Sequence, residues 1–446
     1  MKVTLIQPTI GRVGDRKLVR PWTLEPLAMA VLAGVTPRDV ELKFYDDRIE
    51  NIDYEDPTDI VGISVETSTA LRAYEVAKHY RDQGITVVMG GVHPTLLPDE
   101  VSQYSDVVVS GHAEKLWPQI LNDFKNGNLQ KHYKEEGSIS FETLADKSIF
   151  IGKKYFPASL IEFGRGCPFH CDYCDIPIYF DGKYSSRPLD SLVTEIRSSG
   201  KKLFVVVDDN LGSSPKALLE FCKAITPLKI KWVAQTSVTL AKNEELLRLV
   251  AKSGCLGVLL GLESIESENL RIMNKRFNES IPMVEAIRRF HNVGIRIHGS
   301  FIVGYDYDTT ESVKRLVEFA IKQKLFIANF NPLTPIPRTP LYVRLQKENR
   351  MLNGRWWLDY SYRYGDFVFR PANMSPEEMS KVCEEAKRHF YGARSILTRA
   401  VSLTNIHGIY SAFGYFGINM MTRKEVAVKT GAYLGYEKNM LDLLGD

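Results

Sequence analysis

Short apolar runs alternate with stretches whose apolar positions recur every three or four residues through most of the first 335 positions. The runs read as buried strands and the periodic stretches as amphipathic helices. In the first part of the chain this pattern predicts strands over 2–7, 40–45, 60–65, 86–89 and 106–109, with helices over 24–35, 69–83 and 114–124. Such an alternation specifies a doubly wound parallel sheet, whose ligand crevice lies beyond the C-terminal strand ends. Residues 64–67, the run Gly90-Gly91-Val92-His93-Pro94 and residues 111–114 fall at those ends and read as loops rather than core.

Residues 127–158 are polar, carry Gly127, Gly137 and Gly152, and read as a linker. A second alternation follows, with strands expected at 160–163, 203–207, 231–236, 256–262, 296–303 and 326–331. Six β/α repeats in about 175 residues describe an incomplete TIM-type barrel, since eight repeats usually need about 250. The fold class is therefore α/β: a doubly wound domain over 1–126, the linker, a partial (β/α)6 barrel over 159–335, and a mostly helical region over 336–446 expected to cap the substrate. Within that last region Trp356, Trp357, Tyr360, Tyr362 and Tyr364 read either as closing the barrel mouth over a flat or apolar substrate or as core. The aromatic stretch 402–421 reads as core packing.

Composition adds exclusions. With 446 residues, 44% apolar, 25% charged and a net charge of +3, the chain is ordinary for a globular protein and has no nucleic-acid footprint. No window approaches the roughly 18 consecutive apolar residues of a membrane span. The start MKVTLIQP lacks the features of a secretory signal, so a cytoplasmic location is expected. Six cysteines are too few for a disulfide framework in a chain of this length.

Three of the six lie in Cys167-Pro-Phe-His-Cys171-Asp-Tyr-Cys174, directly after the first barrel strand and the turn Gly164-Arg165-Gly166. Three thiolates on one short loop can face a single centre, and soft sulfur favours iron-sulfur clusters or zinc. A closed zinc site needs a fourth ligand, whereas Cys222, Cys255 and Cys383 are isolated and His170 sits between two of the cysteines. A 4Fe-4S cluster normally takes four cysteines, so three leave one iron open to a small molecule.

This CxxxCxΦC array, with Tyr173 at Φ, resembles the signature of the radical S-adenosylmethionine (SAM) superfamily, and the resemblance covers about residues 158–335. It implies a 4Fe-4S cluster on Cys167, Cys171 and Cys174, with SAM chelating the open iron. Reductive cleavage then gives a 5′-deoxyadenosyl radical, with electrons from a flavodoxin- or ferredoxin-type donor. Phe169 and Tyr173 are expected to flank the cofactor, and Asp208 and Asp209 to meet its ammonium group. Gln235 and Glu263 lie at strand ends, with Glu263 implied at the ribose. Arg276 is expected to pair with the carboxylate, Lys275 being its competitor, and Gly304 resembles the family's glycine stretch near adenine.

A doubly wound domain before such a barrel resembles the cobalamin-binding subfamily. Ser64, Gly90 and Gly91 stand near the spacing of its serine and double-glycine elements, and His93 is a candidate contact of the corrin region. The DxHxxG segment that supplies a cobalt ligand in many relatives is missing. Two readings follow, cobalamin held without a protein imidazole or a domain that keeps the fold without the cofactor. The resemblance implies an enzyme that functionalises an unactivated carbon of a small or lipid-like metabolite, foremost by cobalamin-dependent C-methylation. The alternatives are a cobalamin-independent lyase, cyclase or group-transfer enzyme and, more distantly, a non-catalytic metal-binding protein.

Overall fold

The computed structural model describes residues 1–13, 16–17, 23–135, 145–429, 431 and 434–435. They form two compact units, one of residues 1–156, 355–364 and 431 onward, the other of 157–354 and 365–430.

The first unit is built on a parallel sheet of β1 (Lys2–Gln7), β2 (Glu41–Asp46), β3 (Ile60–Ser64), β4 (Thr86–Gly90), β5 (Val107–Ser110) and β6 (His132–Lys134), in the order β2-β1-β3-β4-β5-β6. Val3, Leu5, Ile6, Ile60, Val61 and Ile63 are almost inaccessible, the consecutive burial expected of strands covered on both faces. Helices α1 (Leu27–Val35), α2 (Ala70–Asp82) and α3 (Leu116–Lys125) supply the cover. The winding reverses between β1 and β3, which places Ser64 beside the switch point where such sheets bind ligands.

Two expectations for this unit need correction. The stretch 127–158 is not a linker: β6 pairs with β5, and Tyr133 and Phe150 join Phe44, Val109 and Trp117 in the core. A three-residue edge strand is too short to show a period, which is why it reads as polar connection; Gly137 lies outside the described residues. Nor is Val92-His93-Pro94 an open loop. It forms a short helix, Val92–Leu96, with His93 fully buried.

His93 is engaged at both ring nitrogens. Nδ1 lies 3.3 Å from Thr67 Oγ1, and Nε2 lies 3.1 Å from Glu100 Oε1 and 3.0 Å from the Tyr74 hydroxyl. Trp357 Nε1 donates to the same Glu100 oxygen at 2.9 Å. Burial opposes the charge on Glu100, yet donors from His93, Trp357 and Tyr74 hold its pKa below the ordinary glutamate value. Residues 336–446 are thus not one cap: segment 355–364 belongs to the first unit, where Trp356 and Trp357 are buried.

The second unit carries the parallel strands β7 (Ser159–Ile161), β8 (Leu203–Val206), β9 (Lys231–Thr236), β10 (Cys255–Glu263), β11 (Arg296–Val303) and β12 (Ile327–Pro332), paired in chain order. No pairing joins β12 to β7 among the described residues, so the barrel is partial. Helices α4 (Leu189–Ser198), α5 (Pro215–Ile225), α6 (Glu244–Lys252), α7 (Met283–Asn292) and α8 (Thr310–Lys322) lie between successive strands. Along β11 the residues Ile297, Gly299, Phe301 and Val303 are buried while their alternates are half-buried, as expected of one face under helices and one lining an open interior. The chain continues through α9 (Pro340–Lys347), α10 (Pro376–Phe390), α11 (Ala393–Ala400) and α12 (Ile409–Lys429). The stretch 402–421 is only partly core: Tyr415 is buried, but Ile409, Tyr410 and Phe413 are exposed.

Because Trp357 fills core and donates to a buried carboxylate, Trp357→Ala is expected to cost about 3–5 kcal/mol. Denaturant unfolding followed by near-UV circular dichroism checks this.

Candidate active site

The cysteine loop leaves β7 through residues 163–166, and two carboxylates from the end of β8 hold that turn. Asp208 Oδ1 accepts the Phe163 amide at 2.8 Å, and Asp209 Oδ2 accepts the Gly166 amide at 2.7 Å. Gly166 has a φ of +84°, and a side chain there would run into the Lys183 carbonyl, so only glycine turns the chain at this point. Farther along, Asn274 Nδ2 donates to the His170 carbonyl at 2.8 Å and the Tyr305 hydroxyl donates to Asp172 Oδ1 at 2.6 Å. Asn210 Nδ2 reaches Cys167 Sγ at 3.7 Å. Three separate segments, 208–210, Asn274 and Tyr305, therefore hold the cysteine loop and the turn that leads into it.

Cys171 is buried and Cys167 and Cys174 are half-buried. Burial pushes the Cys171 and Cys174 thiols up, and Lys275 is the nearby positive charge that opposes this at Cys171. Three thiols on one loop, with an amide donor on one sulfur, suit an iron-sulfur cluster, in which each thiolate takes a different iron. Among the described residues no three His, Cys, Asp or Glu side chains gather as they do around one metal ion. His170 instead sets its ring against Gly182.

Opposite the loop, Lys275 Nζ lies 2.5 Å from Glu263 Oε1 and 3.1 Å from the Tyr173 hydroxyl. Burial opposes the charge on Lys275, but Glu263 and Cys171 together raise its pKa above the usual lysine value. The pair fits because position 261 is glycine: a Cβ there would stand 2.8 Å from the Lys275 ammonium. Arg276 is exposed at the start of the next turn. Of the two cations weighed from sequence, the structure brings Lys275 to the cysteines and leaves Arg276 outside. Eleven residues, including the short helix Ser267–Ile272, lie between Glu263 and Lys275, a return that apolar periodicity does not reveal.

The other expected residues fall as follows. Phe169 stacks on Phe277 with centroids 3.7 Å apart. Gln235 is exposed and its amide donates to the Asp209 carbonyl at 2.9 Å. Gly304 has a φ of +116° and gives its amide to Asp308, while the Phe367 ring occupies the space beside its Cα. At the ends of β8 and β9, Asp208 Oδ2, Asn210 Oδ1 and Thr236 Oγ1 are buried without a partner, a deficit that a polar cofactor or water would meet. In the first unit Gly91 has a φ of +112°, and a Cβ there would lie 2.8 Å from the Val65 carbonyl, so the chain itself requires this glycine. Ser64 and Gly90 are half-buried, whereas His93 is enclosed.

Residues 161–320, which hold the cysteine loop and most of the partial barrel, match the Radical SAM superfamily. The chain thus carries a radical SAM domain with a B12 binding domain, matched over residues 21–121, ahead of it. It is 28% identical over 389 residues to the bacteriochlorophyllide d C-12(1)-methyltransferase of Chlorobaculum tepidum, covering 84% of each chain. Its identity to the bacteriochlorophyllide d C-8(2)-methyltransferase of the same organism is 29% over 359 residues, 75% of this chain and 79% of that one. The fold is also that of the radical SAM methyltransferase TsrM from Kitasatospora setae, solved with cobalamin and a 4Fe-4S cluster: TM-score 0.63, 16% identity, 95% of this chain and 99% of that one covered.

Lys275→Met leaves Glu263 buried without its cation, a loss of about 3–5 kcal/mol for a broken buried pair. It is expected to abolish saturable SAM binding in anaerobic equilibrium dialysis, whereas Arg276→Ala leaves binding within twofold. A pH test follows from the carboxylates. Burial raises Asp208 from 3.8 to about 8 and Asp209 to about 6. The folded form then binds more protons than the unfolded chain, so this contribution to stability is full below 3.8 and is lost as the pH rises through about 8. Thermal unfolding of the cofactor-free protein should show this fall, and Asp208→Asn should flatten it.

Proposed function

We propose that the protein is a cobalamin-dependent radical SAM C-methyltransferase acting on an unactivated carbon of a small, lipid-like or tetrapyrrole-like metabolite. The observation that carries the reading is a loop of three thiols whose Tyr173 meets the buried Lys275–Glu263 pair, at the strand ends of a barrel that follows a B12 binding domain. When bound, the cluster and SAM supply one-electron cleavage and hydrogen abstraction, and cobalamin supplies a transferable methyl group.

The protein's own contribution is placement. Cys167, Cys171 and Cys174 bind the cluster. Lys275 offers its ammonium to the SAM carboxylate, and Glu263, held against Lys275, offers its second oxygen to ribose hydroxyls. Asp208 and Asp209 keep the loop in place through the 163–166 amides and present their remaining oxygens to the SAM ammonium, each charge-assisted hydrogen bond contributing about 1.5–3 kcal/mol. Tyr173 covers the lysine and, with Phe169 on Phe277, walls off water. Ser64 and Gly90 at the strand ends of the first unit are the cobalamin contacts, and His93, occupied at both ring nitrogens, is a positioning residue for that turn. A flavodoxin- or ferredoxin-type protein supplies the electrons.

The relatives named as bacteriochlorophyllide methyltransferases support methylation and a flat, apolar substrate. A second reading, radical chemistry without cobalamin, is favoured by Gly91, whose freedom the chain itself uses, and by His93, which has no nitrogen left for cobalt. Anaerobic purification after growth with added cobalamin separates the two. A stoichiometric corrinoid absorbance is expected, and its absence transfers the assignment to the second reading. Under either, Cys171→Ala is expected to lose cluster iron and to reduce 5′-deoxyadenosine formation at least a hundredfold, read by iron analysis and product chromatography.

A further inference from the structure

Helix α12 packs on the second unit by one face and carries a second apolar stripe on the outside. Its inward face mixes apolar and polar contacts: Tyr415 and Ile418 pack on a small cluster with Phe326 and Ile396, the Tyr415 hydroxyl donates to the Ile396 carbonyl at 2.7 Å, and Asn419 Oδ1 accepts from Arg399 Nη2 at 3.0 Å. Arg399 is itself buried, its guanidinium 3.8 Å from the centre of the Phe390 ring. Ile409, Phe413, Phe416 and Met420, spaced at i, i+4, i+7 and i+11, form an apolar stripe on the outside, 69%, 73%, 38% and 49% exposed. Tyr410 stands beside it, 90% exposed.

The stripe is not isolated. Leu397, Val401 and Leu403, from α11 and the turn after it, are 61–82% exposed. Eight of the fifteen large apolar side chains exposed among the described residues thus lie between 397 and 420. A concentration of this kind marks an interaction surface rather than scattered exposure.

Charge identifies the occupant. From Tyr391 to Lys424 the sequence holds no aspartate or glutamate. Arg394, Arg423 and Lys424 are exposed along the same stretch. A two-fold contact between copies would bring these cations against their own equivalents. Side chains as exposed as Tyr410 and Leu403 project without flanking walls, which suits entry into a fluid interface better than fitting a rigid partner. Aromatic and aliphatic side chains on one face of a helix, with cations beside them, match the interfacial helices that lie in the headgroup region of a bilayer. No helix among the described residues is long and apolar enough to cross a membrane, so the contact is one of lying on the surface.

We propose that α11 and α12 form a docking surface for an anionic lipid bilayer, with the apolar stripe inserted at the headgroup boundary and the basic residues on the lipid phosphates. The proposal is independent of the reaction assigned to the barrel.

Sedimentation of the anaerobically purified full chain with vesicles tests it. The chain is expected to pellet with phosphatidylglycerol–phosphatidylcholine vesicles and far less with phosphatidylcholine alone. Phe413→Ser with Phe416→Ser is expected to weaken partition at least about tenfold. Arg423→Gln and Lys424→Gln should each weaken it about fivefold, and only toward anionic vesicles. Ile151→Ser with Val284→Ser, exposed elsewhere, must leave it unchanged. All positions replaced are solvent-facing, and unchanged circular dichroism and iron content confirm that the variants fold. Failure to pellet with any vesicle overturns the proposal, as does equal partition of the Phe413/Phe416 variant. Light scattering that shows a dimer converted to monomer by that variant, with no vesicle binding, assigns the surface to a second copy and also overturns it.

Discussion

The site depends on the grip of two carboxylates on a turn of backbone. Cys167, Cys171 and Cys174 can share a centre only if the chain leaves β7 in one direction, and Asp208 and Asp209 set that direction by accepting the amides of Phe163 and Gly166. The same carboxylates are pushed up by burial, so their charge is costly until a cation arrives. One pair of residues thus links the geometry of the cysteine loop to the charge of whatever binds beside it.

Lys275 and Glu263 form the complementary wall. A buried ion pair adds little stability by itself, because desolvation offsets most of the attraction. Its value here is directional: Gly261 leaves room for the pair, Tyr173 covers it, and the ammonium lies near thiols that burial alone would keep protonated. Positive charge on this side lowers the cost of assembling thiolates in a partly dry pocket.

In the first unit, residues that look like ligand contacts are partly used by the fold. Gly91 is required by the neighbouring Val65 carbonyl, and His93 by Thr67, Tyr74 and Glu100, a network that also takes in Trp357 from a distant segment. A fully hydrogen-bonded buried histidine has no lone pair to offer outward. A motif at a strand end therefore identifies the kind of domain without establishing that each of its side chains faces the ligand.

The sequence by itself determined the two parallel sheets, nearly all their strands and helices, and the cysteine array, because each rests on local spacing: consecutive apolar residues for covered strands, period 3.6 for helices, and three thiols within one loop. It did not reveal β6, too short to show a period, or the membership of 355–364 in the first unit, because neither leaves a local signal. The burial of Lys275 beside an exposed Arg276, the tie of Asp172 to Tyr305, and the outward turn of the apolar stripe on α12 were likewise decided by tertiary structure. In each case two residue types are equally compatible with the local pattern, and only the neighbours brought from elsewhere in the chain decide which one is buried, which is paired and which faces outward.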